Sequence, residues 1–173
     1  MKIAVFSDVH NSDTAMDAVV QAAAAERADK IVFCGDLFGG FGDCQTVARK
    51  AQSLDGVLYF VRGNNDYYGE RFIDGGLEEN VVMYHFGRTL FFTHGDRYDK
   101  YRLPAFLREN DVLIYGHTHR ALLQRHDGIF IANVGSVARP RDGVASYLTI
   151  SENGILLKRL DGTTVLSLPF VPA

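Results

Sequence analysis

The sequence predicts an α/β protein organised as a four-layer α/β/β/α sandwich, two mixed sheets flanked by helices. Three observations lead there. The N-terminal part alternates short apolar runs with helical patterns, the remainder is a series of short strands, and two-residue turns join several of those strands. With 173 residues, 47% hydrophobic and 23% charged, the chain is expected to form one domain over residues 1–173 and to be neither disordered nor membrane-embedded.

Lys2 to Ser7 is a continuous apolar run, as a strand buried on both faces requires. The polar loop Asp8 to Asp13 then offers helix-capping side chains, and Thr14 to Arg27 sets Met16, Val19, Val20 and Ala23 on one helical face. Lys30 to Cys34 is a second buried strand, which completes a β-α-β unit. After the glycine-rich stretch Gly35 to Gly42, a helix is expected near Gln45 to Ser53 and a third strand over Val57 to Val61.

Further strands are expected at Val81 to Phe86, Thr89 to Thr93, Val112 to Tyr115, Ala121 to His126, Ile129 to Val134, Ser146 to Ile150 and Ile155 to Leu160. Asp127-Gly128, Asn153-Gly154 and Asp161-Gly162 are hairpin turns, so this half contains antiparallel pairing. One helix is expected within it, over about Lys100 to Glu109.

Charge and cysteine usage narrow the setting. The 18 basic against 21 acidic residues give a net charge of -3, so no overall basic field attracts a polyanion, and nucleic acid is a disfavoured partner. Cys34 and Cys44 form neither a CxxC pair nor a disulfide framework, and Cys34 is expected as a buried core thiol. The apolar run Ile3 to Phe6 is too short for a signal peptide or a membrane span, so a cytoplasmic protein without a membrane partner is expected.

In open α/β sheets ligands gather at the carboxyl ends of strands. Here those ends carry Asp8 and His10, then Gly35-Asp36, Gly63-Asn64-Asn65-Asp66, His94-Gly95, and Gly116-His117-Thr118-His119. Imidazole nitrogen and carboxylate oxygen together suit borderline divalent metals. The four histidines, two aspartates and one asparagine are too many for one ion and suit two that share a carboxylate. Two metals about 3.5–4 Å apart clamp an in-line displacement at phosphorus.

These pieces, in this order, resemble the motif set D-x-H, G-D, G-N-H/C-D, H and G-H-x-H of the calcineurin-like metallophosphoesterases. The similarity runs from the first residues to at least Arg141, and Asn133-Val134-Gly135-Ser136-Val137 resembles the small, capless bacterial and archaeal phosphodiesterase branch. The resemblance implies that Asp8, His10, Asp36 and His119 hold one metal. It also implies that Asp36, Asn64, His94 and His117 hold the other, with Asp36 as the bridge. It implies a phosphodiesterase in which a hydroxide bridging the metals attacks phosphorus, with Asn65 and Asp66 as the catalytic pair, Asp66 orienting the residue before it or supporting the loop. Manganese is the expected cofactor ion; zinc, iron, cobalt or nickel would also fit such ligands.

One departure bears on catalysis. Asn65 stands where many members of that family carry a histidine that protonates the leaving group or stabilises the transferring phosphoryl oxygens, and an amide can do only the second, by donating a hydrogen bond. A second departure is Asp96, where the small branch often has another histidine. Asn65, Ser136 and Arg139 are the expected substrate contacts, and Phe38, Phe41, Tyr67 and Tyr68 either line a pocket or pack their loops. A small phosphodiester is the expected substrate, and a homo-oligomer is compatible with the antiparallel half. The alternatives are a phosphomonoesterase of the same fold and a catalytically weak metal-binding interaction module.

Overall fold

The computed structural model describes residues 1–170. Its first strands, β1 (Ile3–Phe6), β2 (Lys30–Cys34) and β3 (Val57–Val61), run parallel at one side of a six-stranded sheet. On the other side β1 meets β9 (Ser146–Ser151), which continues antiparallel into β10 (Gly154–Arg159) and β11 (Thr164–Pro169). The order across this sheet is β11-β10-β9-β1-β2-β3. The second sheet comprises β4 (Val81–His85), β5 (Arg88–Phe92), β6 (Val112–Tyr115), β7 (Leu122–His126) and β8 (Ile129–Asn133), in the order β4-β5-β6-β8-β7. Strands β5, β6 and β8 are parallel, and β4 and β7 lie antiparallel at its edges.

The alternation of β1 explains its unbroken apolar run. Ile3 and Val5 face the second sheet, packing with Val32, Phe92, Val112 and Ile114, while Ala4 and Phe6 face the helices. Helices α1 (Asp13–Glu26) and α2 (Cys44–Gln52) both cover that outer face through Met16, Val19, Val47 and Ala51. The Ser12 hydroxyl accepts the Ala15 amide at 3.2 Å and starts α1; Asp43 accepts the Gln45 and Thr46 amides and starts α2.

The outer face of the five-stranded sheet is covered differently. Phe91, Leu113 and Tyr115 pack beneath Tyr98, Leu103 and Leu107. The helix expected over Lys100–Glu109 is absent; that segment is a run of turns. Pro104 sits at its centre, lacks an amide hydrogen and biases Leu103 away from helical angles. The Asp99 carboxylate instead accepts the Tyr101 and Arg102 amides at 2.8 and 3.0 Å. The other difference is β11, exposed along most of its length and so without the apolar alternation that marks a strand. Among the described residues no helix is long and apolar enough to cross a membrane.

The two sheets meet at one rim, where the carboxyl ends of β1, β2, β3, β5, β6 and β8 converge. The Asp8 and His10 amides donate to the Gly35 and Asp36 carbonyls, Gly116 donates to the His94 carbonyl, and Val137 donates to the Ser7 carbonyl. The Ser7 and Asp8 backbone thus touches loops from both sheets.

Candidate metal centre

At that rim the structure brings together all seven predicted ligand side chains. Asp8 Oδ1 lies 3.1 Å from His119 Nε2 and 3.7 Å from His10 Nε2, and those two ring nitrogens are 3.1 Å apart. Beside them, His94 Nε2 is 3.0 Å from Asn64 Oδ1, 3.2 Å from His117 Nδ1 and 3.4 Å from Asp36 Oδ2. Asp36 Oδ2 is also 3.7 Å from His10 Nε2, so this one oxygen reaches both clusters. Asp8 and Asp36 are essentially fully buried, as is His94, whereas Asn64 is exposed.

The donor set fits metal ions. Ligands bonded at about 2.0–2.2 Å to one ion stand about 3.0–3.5 Å from each other, which is the spacing seen here. Asp8 Oδ1 is buried without a hydrogen-bond partner, a costly condition for a carboxylate oxygen that could otherwise be solvated. The histidine tautomers are also prepared. His94 Nδ1 faces the Cys34 carbonyl at 2.9 Å and His119 Nδ1 faces the Arg139 carbonyl at 3.0 Å, leaving each Nε2 with its lone pair toward the centre.

Placing these groups strains the backbone. Asp8, His10, Asp36, His117 and His119 all have positive φ, between 51 and 63°, as does Asn11 beside them. For residues with a Cβ this region costs about 1–3 kcal/mol each and persists only where the surroundings enforce it. Two glycines provide part of the enforcement by letting backbones touch. A Cβ on Gly63 would lie 2.2 Å from the Asp36 amide nitrogen and carboxylate, and one on Gly116 would lie 2.0 Å from Ser7 Oγ and 2.5 Å from Asp8 Oδ2.

The charges are mutually balanced. Burial works against ionised Asp8, and the adjacent His10 and His119 imidazoles outweigh it, holding the carboxyl well below its usual range. Asp36 behaves alike, with burial opposed by His94. Without a metal, burial disfavours a charged His94, yet the adjacent Asp36 carboxylate raises its pKa to about 9, so an ion binding at Nε2 would displace a proton there. His117 is lowered by burial and by the neighbouring His94.

The supporting residues carry much of the geometry. Asp66 is wholly buried, and its carboxylate accepts the amides of Asp36 and Phe38, each at 2.9 Å, and of Gly63 at 2.6 Å. It ties the second-strand loop to the third-strand loop. Asn65 faces Asp36: its amide side chain donates to Asp36 Oδ2 at 2.8 Å and its backbone to Oδ1 at 2.9 Å. Ser7 and Asn133 brace the candidate ligand loops, a role that the sequence alone does not assign to them. Ser7 Oγ donates to Asp8 Oδ2 at 2.7 Å, and Asn133 Nδ2 donates to the Gly116 carbonyl and Thr118 Oγ1, both at 2.9 Å. The signal available for Ser7 was its position, immediately before the first ligand.

The expectation of a substrate contact at Ser136 is corrected. Ser136 is fully buried; its hydroxyl donates to the Asp8 carbonyl at 2.9 Å and accepts the Ala138 and Arg139 amides, so it fixes a loop. Arg139 is exposed beside the centre. The aromatic set divides: Phe38 is core, whereas Phe41, Tyr67 and Tyr68 are exposed. Cys34 is a buried thiol whose pKa burial raises.

The comparisons with known proteins agree with this geometry. Residues 1–154 match the model of the calcineurin-like phosphoesterase superfamily domain. Phosphodiesterase YfcE of Escherichia coli K12 is 31% identical over 176 aligned positions, covering 90% of each chain. A solved structure of Yfce, described as a phosphoesterase from E. coli, superposes with a TM-score of 0.89 over 99% of this chain and 100% of that one, at 28% identity. Phosphodiesterase MJ0936 of Methanocaldococcus jannaschii is 26% identical, covering 78% of this chain and 83% of its own.

Proposed function

Since the chain belongs to the calcineurin-like phosphoesterase superfamily, we propose that it is a metal-dependent phosphodiesterase acting on a small phosphodiester at a two-metal centre. The observation that carries this reading is the pair of ligand clusters joined through Asp36 Oδ2, with five of the ligand residues held at positive φ. Asp8, His10, Asp36 and His119 would hold one ion, and Asp36, Asn64, His94 and His117 the other. Manganese is the ion we favour, since mixed imidazole and oxygen ligands suit it as well as zinc, iron, cobalt or nickel. When bound, two divalent ions supply a water acidic enough to ionise near neutral pH and positive charge where the phosphoryl oxygens develop negative charge.

The chain's own residues set the rest. The Cys34 and Arg139 carbonyls hold His94 and His119 in the ligating tautomer. Asn65 steadies the shared carboxylate through its amide and has no proton to give a departing alkoxide. Esters with good leaving groups are therefore the substrates this site handles best. A reduced, cytoplasmic setting is supported by the free Cys34 and Cys44.

The test is hydrolysis of an activated aryl phosphodiester and its matching monoester by metal-stripped protein with manganese added back, against an Asp36→Ala control. Diester turnover that needs metal and disappears in the variant is expected. Faster monoester turnover would replace the reading with a phosphomonoesterase. Metal binding without cleavage of either ester would make the protein an interaction module.

A further inference from the structure

The loop Gly39 to Gly42 lies against the candidate centre with almost no side chain between. A Cβ on Gly39 would meet Asn65 Cβ at 2.2 Å, and one on Gly40 would meet the His10 carbonyl oxygen at 1.9 Å. The Asn11 side chain pins the loop by donating to the Gly40 carbonyl at 3.1 Å. Phe41, the residue between these close contacts, is completely exposed. The pinned loop holds that ring beside the centre with its faces open to a ligand.

Arg139 stands on the other side of Gly40. Its Nη2 would be 3.1 Å from a Cβ built there, and among the described residues no carboxylate pairs with it. The arginines on the opposite flank are neutralised: Arg62 pairs with Glu70 and Glu79, and Arg97 pairs with Glu79. A free π face and a free set of N–H donors therefore flank one glycine beside the metal ligands. A flat ring with hydrogen-bond acceptors on its edge uses both, and a nucleobase has that chemistry.

We infer that Phe41 and Arg139 form a subsite for the nucleoside substituent of a phosphodiester, with the base stacked on Phe41 and its edge accepting from Arg139. This rests on the phosphodiesterase reading. The experiment compares the p-nitrophenyl ester of thymidine 5′-phosphate with methyl p-nitrophenyl phosphate on the manganese-loaded full chain. The two share a leaving group and differ only in the substituent. The expected ratio of their kcat/KM values favours the nucleoside ester, falls roughly 5- to 100-fold in Phe41→Ala, as loss of base stacking gives, and is kept in Phe41→Tyr. Arg139→Gln lowers the same ratio. A ratio near one in the unaltered protein, or one that Phe41→Ala leaves in place, overturns the subsite while the diesterase reading stands. If neither ester is cleaved the diesterase reading fails, and calorimetric binding of thymidine 5′-monophosphate against inorganic phosphate decides the subsite. Weaker nucleotide binding in Phe41→Ala supports it, and equal binding overturns it.

Discussion

Replacing Asp66 by asparagine separates a loop-holding residue from a catalytic one. The buried carboxylate accepts three backbone amides, Asp36 and Gly63 on one oxygen and Phe38 on the other. An asparagine of the same shape can serve only one side. With its oxygen toward Asp36 and Gly63, its NH₂ confronts the Phe38 amide, and a buried donor left without an acceptor costs about 1–3 kcal/mol. The two retained bonds change from charge-assisted to neutral, a loss of about 0.5–1 kcal/mol each. The sum is about 2–5 kcal/mol, which in a chain of this size lowers Tm by roughly 5–15 °C. Metal affinity falls as well, because the common anchor of the Asp36 amide and Gly63, next to Asn64, is weakened from a carboxylate to a neutral amide oxygen. The assay is thermal unfolding of the metal-free protein at pH 8, paired with manganese titration. A variant with unchanged Tm and unchanged metal affinity but no esterase activity would refute the loop-holding role and make Asp66 a participant in the chemistry.

Asn65 offers no proton to the leaving group, so rates across a series of aryl and alkyl diesters should fall steeply with leaving-group pKa. Asn65→His should restore part of the ~10²–10⁴-fold that general acid help supplies, most of all for the alkyl esters. Gly116→Ala drives a methyl into Ser7 Oγ and Asp8 Oδ2; competition with a chromophoric chelator should show metal affinity down at least about tenfold, with about 1–3 kcal/mol lost in denaturant unfolding. Glu26, buried between Lys2, Lys158 and the Tyr147 hydroxyl, is disfavoured by burial, yet its partners bring its pKa down to about 2. A depressed carboxylate stabilises the fold above its unfolded pKa of about 4.3, and that contribution is lost as pH falls toward 2. Glu26→Gln should therefore cost about 2–3 kcal/mol at pH 7 and flatten the acid limb of a Tm-against-pH curve between pH 5 and 2; an acid limb as steep as the parent's would refute the assignment.

What could be read from the sequence was whatever is local. Strands such as Lys30 to Cys34 announce themselves by unbroken burial, and the ligands follow strand ends because the fold puts them there. Hairpins at Asp127-Gly128 and Asn153-Gly154 join the strands they were expected to join, and the turn at Asp161-Gly162 leads into β11, which the sequence pattern does not mark. What could not be read depends on contacts distant in the chain. The insertion of β9 beside β1 is a pairing across more than a hundred residues. Ser7 and Asn133 act through single bonds to other loops, and Phe38 and Phe41 differ in burial only because Gly69 packs on the first and nothing covers the second. The segment Lys100–Glu109 fails to form a helix for a local reason, Pro104 at its centre.

The left-handed ligand residues have an evolutionary consequence. On the proposed two-metal reading, each of them keeps an unfavourable backbone conformation that serves metal binding, and a metal-free fold gains nothing in return. A drift from His117 or His119 to glycine relieves about 1 kcal/mol at that position while abolishing a ligand. Once selection for hydrolysis relaxes, loss of the centre is downhill in stability, and the sandwich survives, better folded, for whatever other use its surfaces acquire.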